Sequence, residues 1–256
     1  MSRLTLSKHH GLGNDFLVYL DLDESRPLTA ELARSLCDRH LGVGADGLIR
    51  VGRGRGGAAV SFELRNADGG EAEMSGNGMR CVAQAVVDAG VATGPELEVA
   101  TVEGVRSVRI GHETAPGLRW ASVDMGPAKV EPLGDGPVPQ SAEVAIANPH
   151  LVLVDDGSAA LDLEALGHQR PDHNVEIIRV VDRGHLAMRV WERGVGLTEA
   201  CGTGSCAVAA AAVGWGLVDS PVVVHNPGGD LTVEVGETVV LSGPTQWVAM
   251  VEVETP

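Results

Sequence analysis

Aromatic residues are nearly missing from this chain: four Trp, two Phe and one Tyr, 3% of 256 residues. Such a composition offers no stacking platform for nucleic-acid bases. Positive charge is scarce too. Lys and Arg number 19 against 35 Asp and Glu, giving a formal net charge of -16 and a pI near 4.9, which argues against a phosphate-backbone partner. The four cysteines, Cys37, Cys81, Cys201 and Cys206, fit neither a zinc ribbon nor a disulfide scaffold. The chain has no His-Glu-x-x-His, no Walker loop and no Gly-x-Gly-x-x-Gly after a strand, so neither a metal nor an organic cofactor is expected. No apolar run has the length of a membrane span. The longest, 206–217, is Ala-rich and reads as a buried helix. The opening residues Met1 to Thr5 contain no apolar signal core, and a cytoplasmic location is the expectation.

Against these absences stands a repeat. Glu73-Met74-Ser75-Gly76-Asn77-Gly78 precedes an apolar run at 79–87, and Glu199-Ala200-Cys201-Gly202-Thr203-Gly204 precedes another at 205–213. Each has an acidic residue, a spacer, Ser or Cys, Gly-x-Gly and then a helix-forming segment. The repeat reaches further. Asn14 followed by the apolar run 16–20 matches Asn148 followed by 151–154. Asn66 and Glu192 stand at equal distances before Ser75 and Cys201, and 62–65 and 188–191 are both strand-like. Gly-x-Gly alone is weak evidence, but three matched segments in one order are not a chance pairing of turns.

The rest of the chain is rich in strands. Residues 4–20 read as strand, Gly turn and strand, and 29–39 as a helix capped by Thr29. The loop 41–47 leads into a strand at 48–51, and further strands are expected at 58–64, 97–102 and 105–110. Residues 127–139, rich in Pro and Gly, read as a connection. A short helix is expected at 162–166, then strands at 176–182, 185–192, 222–225, 231–235, 239–242 and 247–253. The fold class is therefore α+β: two pseudo-symmetric domains, each a mixed or antiparallel sheet wrapped around one apolar helix. The boundary is placed at Pro116-Gly117. The first domain is then 1–116, joined by the final strand at about 249–256, and the second is 117–248.

The loops invite a chemical reading. The first N–H groups of a helix have no partner within it, and glycine lets a ligand come close. Two such starts could hold one carboxylate. A Cys just before the glycine is expected to have a lowered pKa there, suiting removal of a proton next to that carboxylate. Two groups on opposite sides of one carbon make a two-base racemase or epimerase. Cys37, Cys81 and Cys206 read as small core residues.

These motifs resemble the diaminopimelate epimerase family over nearly the whole chain. The resemblance lies in His10-Gly11-Leu12-Gly13-Asn14-Asp15-Phe16, Gly42-Val43-Gly44-Ala45-Asp46-Gly47, Asn66-Ala67-Asp68-Gly69, Ser75-Gly76-Asn77-Gly78-Met79-Arg80-Cys81, Asn148-Pro149-His150, Glu192-Arg193-Gly194 and Ala200-Cys201-Gly202-Thr203-Gly204-Ser205-Cys206-Ala207. It implies two similar domains with the active site in a cleft. It also implies cofactor-independent interconversion of LL- and meso-2,6-diaminopimelate, a step in lysine and cell-wall synthesis, and a homodimer through the N-terminal half. The tail Gln246-Trp247-Val248-Ala249 lacks the Tyr associated with that contact. Carried over by motif, Cys201 is one catalytic thiol, with His150 beside the reacting centre and Glu192 also catalytic. Gly76, Asn77, Gly202 and Thr203 would bind the reacting carboxylate through backbone N–H groups. Asn14, Gly47, Asn66, Asn148, Asn174, Glu192 and Arg193 would hold the rest of the substrate, with Arg193 pairing the distal carboxylate.

One position departs from the pattern: the family's first catalytic residue is Cys, and here it is Ser75. Three readings stand: an engineered replacement, a natural variant that still epimerises, or a shift to another reaction. The alternatives to an epimerase are a racemase, isomerase or dehydratase of another amino acid on the same fold, and a catalytically dead amino-acid-binding protein.

Overall fold

The computed structural model describes residues 2–72, 74–157 and 160–255. Two compact units emerge, Met1–Val123 with Gly243–Pro256, and Asp124–Ser242. Residues 116 and 117, where the sequence reading put the boundary, form the turn of a hairpin in the first unit.

In the first unit, β1 (Ser2–Gly11) and β2 (Asn14–Asp21) pair antiparallel. The turn between them puts Leu12 and Gly13 at positive φ, 53° and 88°. Helix α1 (Ala30–Cys37) carries the chain across to β3 (Gly47–Arg53), which runs parallel to β2. Thr29 caps α1 as expected, its Oγ1 accepting the N–H of Leu32. Leu36 and Cys37 of that helix pack over Leu17, Tyr19 and Leu48. β4 (Val60–Asn66) follows antiparallel, β5 (Glu71–Ala72) folds back on its end, and the chain enters α2 (Gly76–Asp88). β6 (Glu96–Thr101), β7 (Gly104–Ala115) and β8 (Leu118–Asp124) extend the sheet. β17 (Val239–Thr255) pairs with β1 through Gln246 to Thr255 and also pairs with β8, so the strands close around α2.

Residues 76–86 of α2 are buried. The three polar side chains this encloses, Asn77, Arg80 and Gln84, are satisfied. Arg80 donates to Asn77 Oδ1 at 2.7 Å, Gly76 O at 3.2 Å and Pro244 O at 3.2 Å. Gln84 donates to Gly117 O at 2.7 Å and accepts from Thr245 Oγ1 at 3.0 Å.

The second unit repeats the succession. β9 (Lys129–Pro132), β10 (Ser141–Ile146) and β11 (Asn148–Val154) are antiparallel neighbours. Helix α3 (Leu163–Gln169), capped by Asp162, leads to β12 (Asn174–Asp182), parallel to β11. β13 (His185–Glu192) and β14 (Gly196–Thr198) precede α4 (Gly202–Gly214). β15 (Val222–Asn226), β16 (Gly229–Val235) and the start of β17 finish the wrap, and Met125 and Gly126 hydrogen-bond Val239. Helix α4 is buried over 202–212. Its uniformly apolar, Ala-rich surface suits a helix with sheet on all sides. Asn66 and Glu192, matched in the repeat, are the last residues of β4 and β13.

The fold class is as expected; several elements are not. β8 and β10 have no counterpart in the sequence reading. The 127–139 connection contains β9, a short strand whose Pro132 falls at its end. The two expected strands at 239–242 and 247–253 are one. Pro244 does not break it, because the ladder to β16 ends at Ser242 and the ladder to β1 starts at Gln246. Pro244 therefore removes no bond from either ladder.

Candidate active site: two capped glycine loops

Each loop ends in an N-cap. Ser75 is extended (φ -142°, ψ 117°), and its Oγ accepts the N–H of Gly78 at 3.0 Å. Cys201 has nearly the same backbone (φ -123°, ψ 117°), and its Sγ accepts the N–H of Gly204 at 3.3 Å and meets Thr203 Oγ1 at 3.4 Å. The cap uses the third N–H of each helix. The first two, on Gly76 and Asn77 and on Gly202 and Thr203, have no intrahelical acceptor and remain for an anion. Glu73, the acidic residue opening the first motif, lies outside the described residues; its counterpart Glu199 is exposed, its carbonyl accepting from Gly228 N.

In the first unit the motif residues form one network. Asn14 Nδ2 donates to Asp46 Oδ2 at 2.9 Å, and Asn14 Oδ1 accepts from Asn77 Nδ2 at 3.1 Å. The Asp15 carboxylate takes Arg39 in two bonds and Lys8 at 2.8 Å, and these cations hold its carboxyl below the usual carboxylate range against the opposing effect of burial. Asn14 and Asn77 therefore brace the loop through their side chains, and Arg80 anchors Asn77 from behind. Asn66 is exposed in a turn closed by its backbone bonds to Gly69 and Gly70. Gly47 is a packing glycine: a Cβ there would meet Arg65 O and Leu64 Cδ1 at 3.0 Å.

The second unit gathers the titratable groups. Glu192 ends β13 and accepts from Thr198 Oγ1 at 2.5 Å. Burial first, then the charge of Glu176, raises its carboxyl, while hydrogen bonds from Thr198 and Cys201 pull it back. His150, on β11, is fully buried with Nδ1 2.7 Å from Glu176 Oε1. Asn148 is half-buried at the start of β11. Asn174 is buried and its amide is engaged: Oδ1 accepts the Arg193 N–H at 2.9 Å and Nδ2 donates to Pro149 O at 3.4 Å. The Arg193 side chain is exposed, with no ion pair or side-chain hydrogen bond among the described residues. Within this unit the structure thus brings together His150, Glu192, Cys201, Gly202 and Thr203.

One expectation is overturned. The Cys201 thiol is pushed up, well above its ordinary value, not down. Burial is the main cause, the Glu192 and Glu176 charges add to it, and the Thr203 and Gly204 contacts oppose it only in part. The helix start that should favour a thiolate is outweighed by two carboxylates and loss of water.

Glu176 was missed. The sequence signal was an acidic residue flanked by Val175, Ile177 and Ile178, where the strand is buried at every neighbouring position. Among the described residues, no group of three or more His, Cys, Asp or Glu is arranged to hold a metal ion.

The chain is similar to known proteins over nearly its whole length. The family model for diaminopimelate epimerase matches residues 6–131 and 143–248. The chain is 38% identical to the diaminopimelate epimerase of Desulfitobacterium hafniense, covering 96% of both chains. It is 36% identical to that of Nostoc punctiforme, over 95% of this chain and 97% of the relative. Among solved structures, a Bacillus anthracis phenazine biosynthesis protein of the PhzF family superposes with a TM-score of 0.77 at 15% identity, covering 100% of both chains. A probable proline racemase from Agrobacterium radiobacter, with bound carbonate, gives 0.77 at 16% identity over 99% of this chain and 93% of that one. These two likenesses bear on the fold alone.

Proposed function

The chain belongs to the diaminopimelate epimerase family, and on that premise we propose how its residues carry out the reaction. The enzyme is an isomerase that interconverts LL- and meso-2,6-diaminopimelate in lysine and peptidoglycan precursor synthesis. The observation that carries the mechanism is Cys201: a buried thiol capping α4, beside the Glu192 carboxyl and two free helix N–H groups. The N–H groups of Gly202 and Thr203 receive the carboxylate next to the reacting carbon, and the family resemblance assigns the same role to those of Gly76 and Asn77. Negative charge building there in the transition state is stabilised by those donors. Arg193 takes the distal carboxylate, its guanidinium being uncommitted and its backbone fixed by Asn174. Asn14, Gly47, Asn66 and Asn148 border the substrate.

The raised thiol makes Cys201 a proton donor in the resting enzyme. It becomes a base for its own face of the α-carbon once its proton has passed on, with Glu192 as the adjacent carboxyl. For the other face the motif supplies Ser75, a hydroxyl far less acidic than a thiol, so His150 is the base to which that half of the reaction falls. The test is α-proton exchange in D2O with the separate stereoisomers of diaminopimelate. Deuterium should wash into one isomer with retention, inversion should be slow, and Ser75→Cys should speed inversion by about 100-fold or more, as expected when a thiol replaces a hydroxyl several pKa units weaker. Inversion as fast with Ser75 as with Cys would remove the asymmetry from this mechanism. Absence of exchange with every isomer would remove the epimerase reading itself and favour another amino-acid chemistry.

Two further parts of the reading concern setting. A homodimer through the first unit is supported by the exposed apolar side chains of Trp247, Val248 and Met250 on β17. Trp247 and Met250 line, with His9, Val18 and Leu20, a groove of about 270 Å³. Sedimentation of the unaltered chain against Trp247→Lys checks it: the variant should be monomeric. A cytoplasmic location is supported by four buried cysteines, none in a disulfide among the described residues.

A further inference from the structure

The two units provide an internal control. β2 and β3 run parallel with Phe16 opposite Gly47 and Val18 opposite Ile49. β11 and β12 run parallel with His150 opposite Asn174 and Val152 opposite Glu176. Aligning Asn14 with Asn148 makes Phe16 the counterpart of His150, and the shared register makes Ile49 the counterpart of Glu176. The glycines agree: a Cβ on Gly78 would meet Ile49 Cδ1 at 3.2 Å, and one on Gly204 would meet Glu176 Oε1 at 2.7 Å. The fold therefore needs only two apolar side chains at this place, and the first unit has them, both buried.

The second unit buries two ionisable groups instead. His150 and Glu176 are both fully enclosed and 2.7 Å apart. His150 Nε2 and Glu176 Oε2 have no hydrogen-bond partner among the described residues. Such a pair is a poor way to gain stability, since apolar residues of similar volume commonly do as well or better. An ionised carboxylate only accepts hydrogen bonds, so Nδ1 carries the ring proton and Nε2 presents its lone pair. A second partner that fixes tautomer and ring plane is what working histidines have.

We propose that Glu176 is a positioning residue: its carboxylate accepts the Nδ1–H of His150 and holds the imidazole with Nε2 unprotonated, as the base this chain needs where its motif has Ser75. The inference rests on the epimerase reading above. In the step it serves, the α C–H bond breaks, the electron pair stays on carbon, and the proton ends on Nε2. The imidazolium then lies against the Glu176 carboxylate, and the reverse step returns the proton. The titratable groups around the pair are Glu192, at the end of β13, and Cys201, at the start of α4; both feel the charge of Glu176.

The experiment compares the unaltered enzyme with Glu176→Gln, which keeps an acceptor without the charge, and Glu176→Ile, the residue at the matching place in the first unit. Histidine 15N shifts report the His150 tautomer, with His150→Gln to assign the signal, and steady-state and deuterium-exchange kinetics report the two faces. The unaltered protein should show Nδ1–H and bare Nε2, and Glu176→Ile should lose that preference. Glu176→Ile should lower kcat for inversion about 10-fold to 100-fold, in the range of other lost orienting partners. Glu176→Gln should fall between. KM should stay within about 2-fold, and exchange on the Cys201 face, where the thiol loses a neighbouring charge, should not fall with inversion. The proposal is overturned by an unchanged tautomer, by unchanged kcat, or by equal losses on both faces. If the unaltered protein exchanges no α-proton, the epimerase reading fails, and the 15N spectra still decide whether Glu176 sets the tautomer of His150.

Discussion

Asn174 holds Arg193: the buried amide Oδ1 accepts the arginine's backbone N–H at 2.9 Å, while the guanidinium itself is exposed and uncommitted. The turn after β13 is thus fixed at its base and free at its tip. Arg193→Met should weaken diaminopimelate by about 1.5–3 kcal/mol, the worth of a hydrogen bond to a charged group. An analogue lacking the distal carboxylate should bind nearly as before. Asn174→Ala should give a smaller loss, about 1 kcal/mol. Calorimetric titration with both ligands checks this, and equal losses for the two would make Arg193 structural.

The raised thiol of Cys201 predicts poor reactivity at neutral pH. Cys37 and Cys81 are also pushed up by burial, to about 12 and about 11. Iodoacetamide should therefore label Cys201 slowly at pH 7, and faster as pH climbs past the ordinary thiol range, because thiolate is the reactive form. Glu192→Gln removes one of the charges that raise the thiol, so labelling at pH 8 should quicken. Peptide mass mapping over a pH series gives the answer, and rapid labelling of the unaltered protein at pH 7 would contradict the sign of the shift.

Gly78 and Gly204 occupy the same place in the two loops but should respond differently to alanine. Alanine in a helix normally gains about 0.5–1 kcal/mol over glycine. At Gly78 the new Cβ meets the mobile Cδ1 of Ile49 and the Ser75 Cβ, both at 3.2 Å, and the net change should stay within about 1 kcal/mol. At Gly204 it meets Glu176 Oε1 at 2.7 Å. That oxygen is tied to His150, so Gly204→Ala should cost about 1–3 kcal/mol. Urea unfolding of the two variants side by side measures the difference, and similar midpoints would show that the carboxylate moves freely.

His9 gives a pH dependence of stability. It is fully buried, neither ring nitrogen has a partner among the described residues, and burial pushes its pKa down to about 4, against weaker opposing pulls from Gln84 and Asp88. The folded state holds it neutral, whereas the unfolded chain protonates it near its ordinary value of 6.5. Stability is thus fully present above pH 6.5 and is lost as pH falls from there towards 4. At about 1.4 kcal/mol per unit the loss is on the order of 3 kcal/mol. His9→Leu should flatten this part of the profile, leaving the carboxylate losses that occur at lower pH. Unfolding free energies at pH 7 and pH 4.5 for both proteins provide the check, and parallel slopes would mean that His9 is protonated in the fold.

The sequence by itself determined whatever is local. Ser75 and Cys201 sit at helix starts because an extended residue before Gly-x-Gly is what caps an apolar helix, and Thr29 and Asp162 cap by the same short-range bond. The apolar run after Cys201 could only be a helix enclosed by sheet, and alternation marked most strands. The repeat carried the match of Asn66 with Glu192. What the sequence left open depended on neighbours brought from far along the chain. β17 crosses Gly243 and Pro244 unbroken because its ladders to β16 and β1 stop on either side of them. Glu176 reaches His150 across 26 residues because β11 and β12 align in parallel register. The Cys201 thiol rises because that same register, with the end of β13, sets two carboxylates near it away from water. Capping is decided within one turn of helix. A pKa is decided by burial and by charges at a few ångströms, and only the tertiary fold sets those.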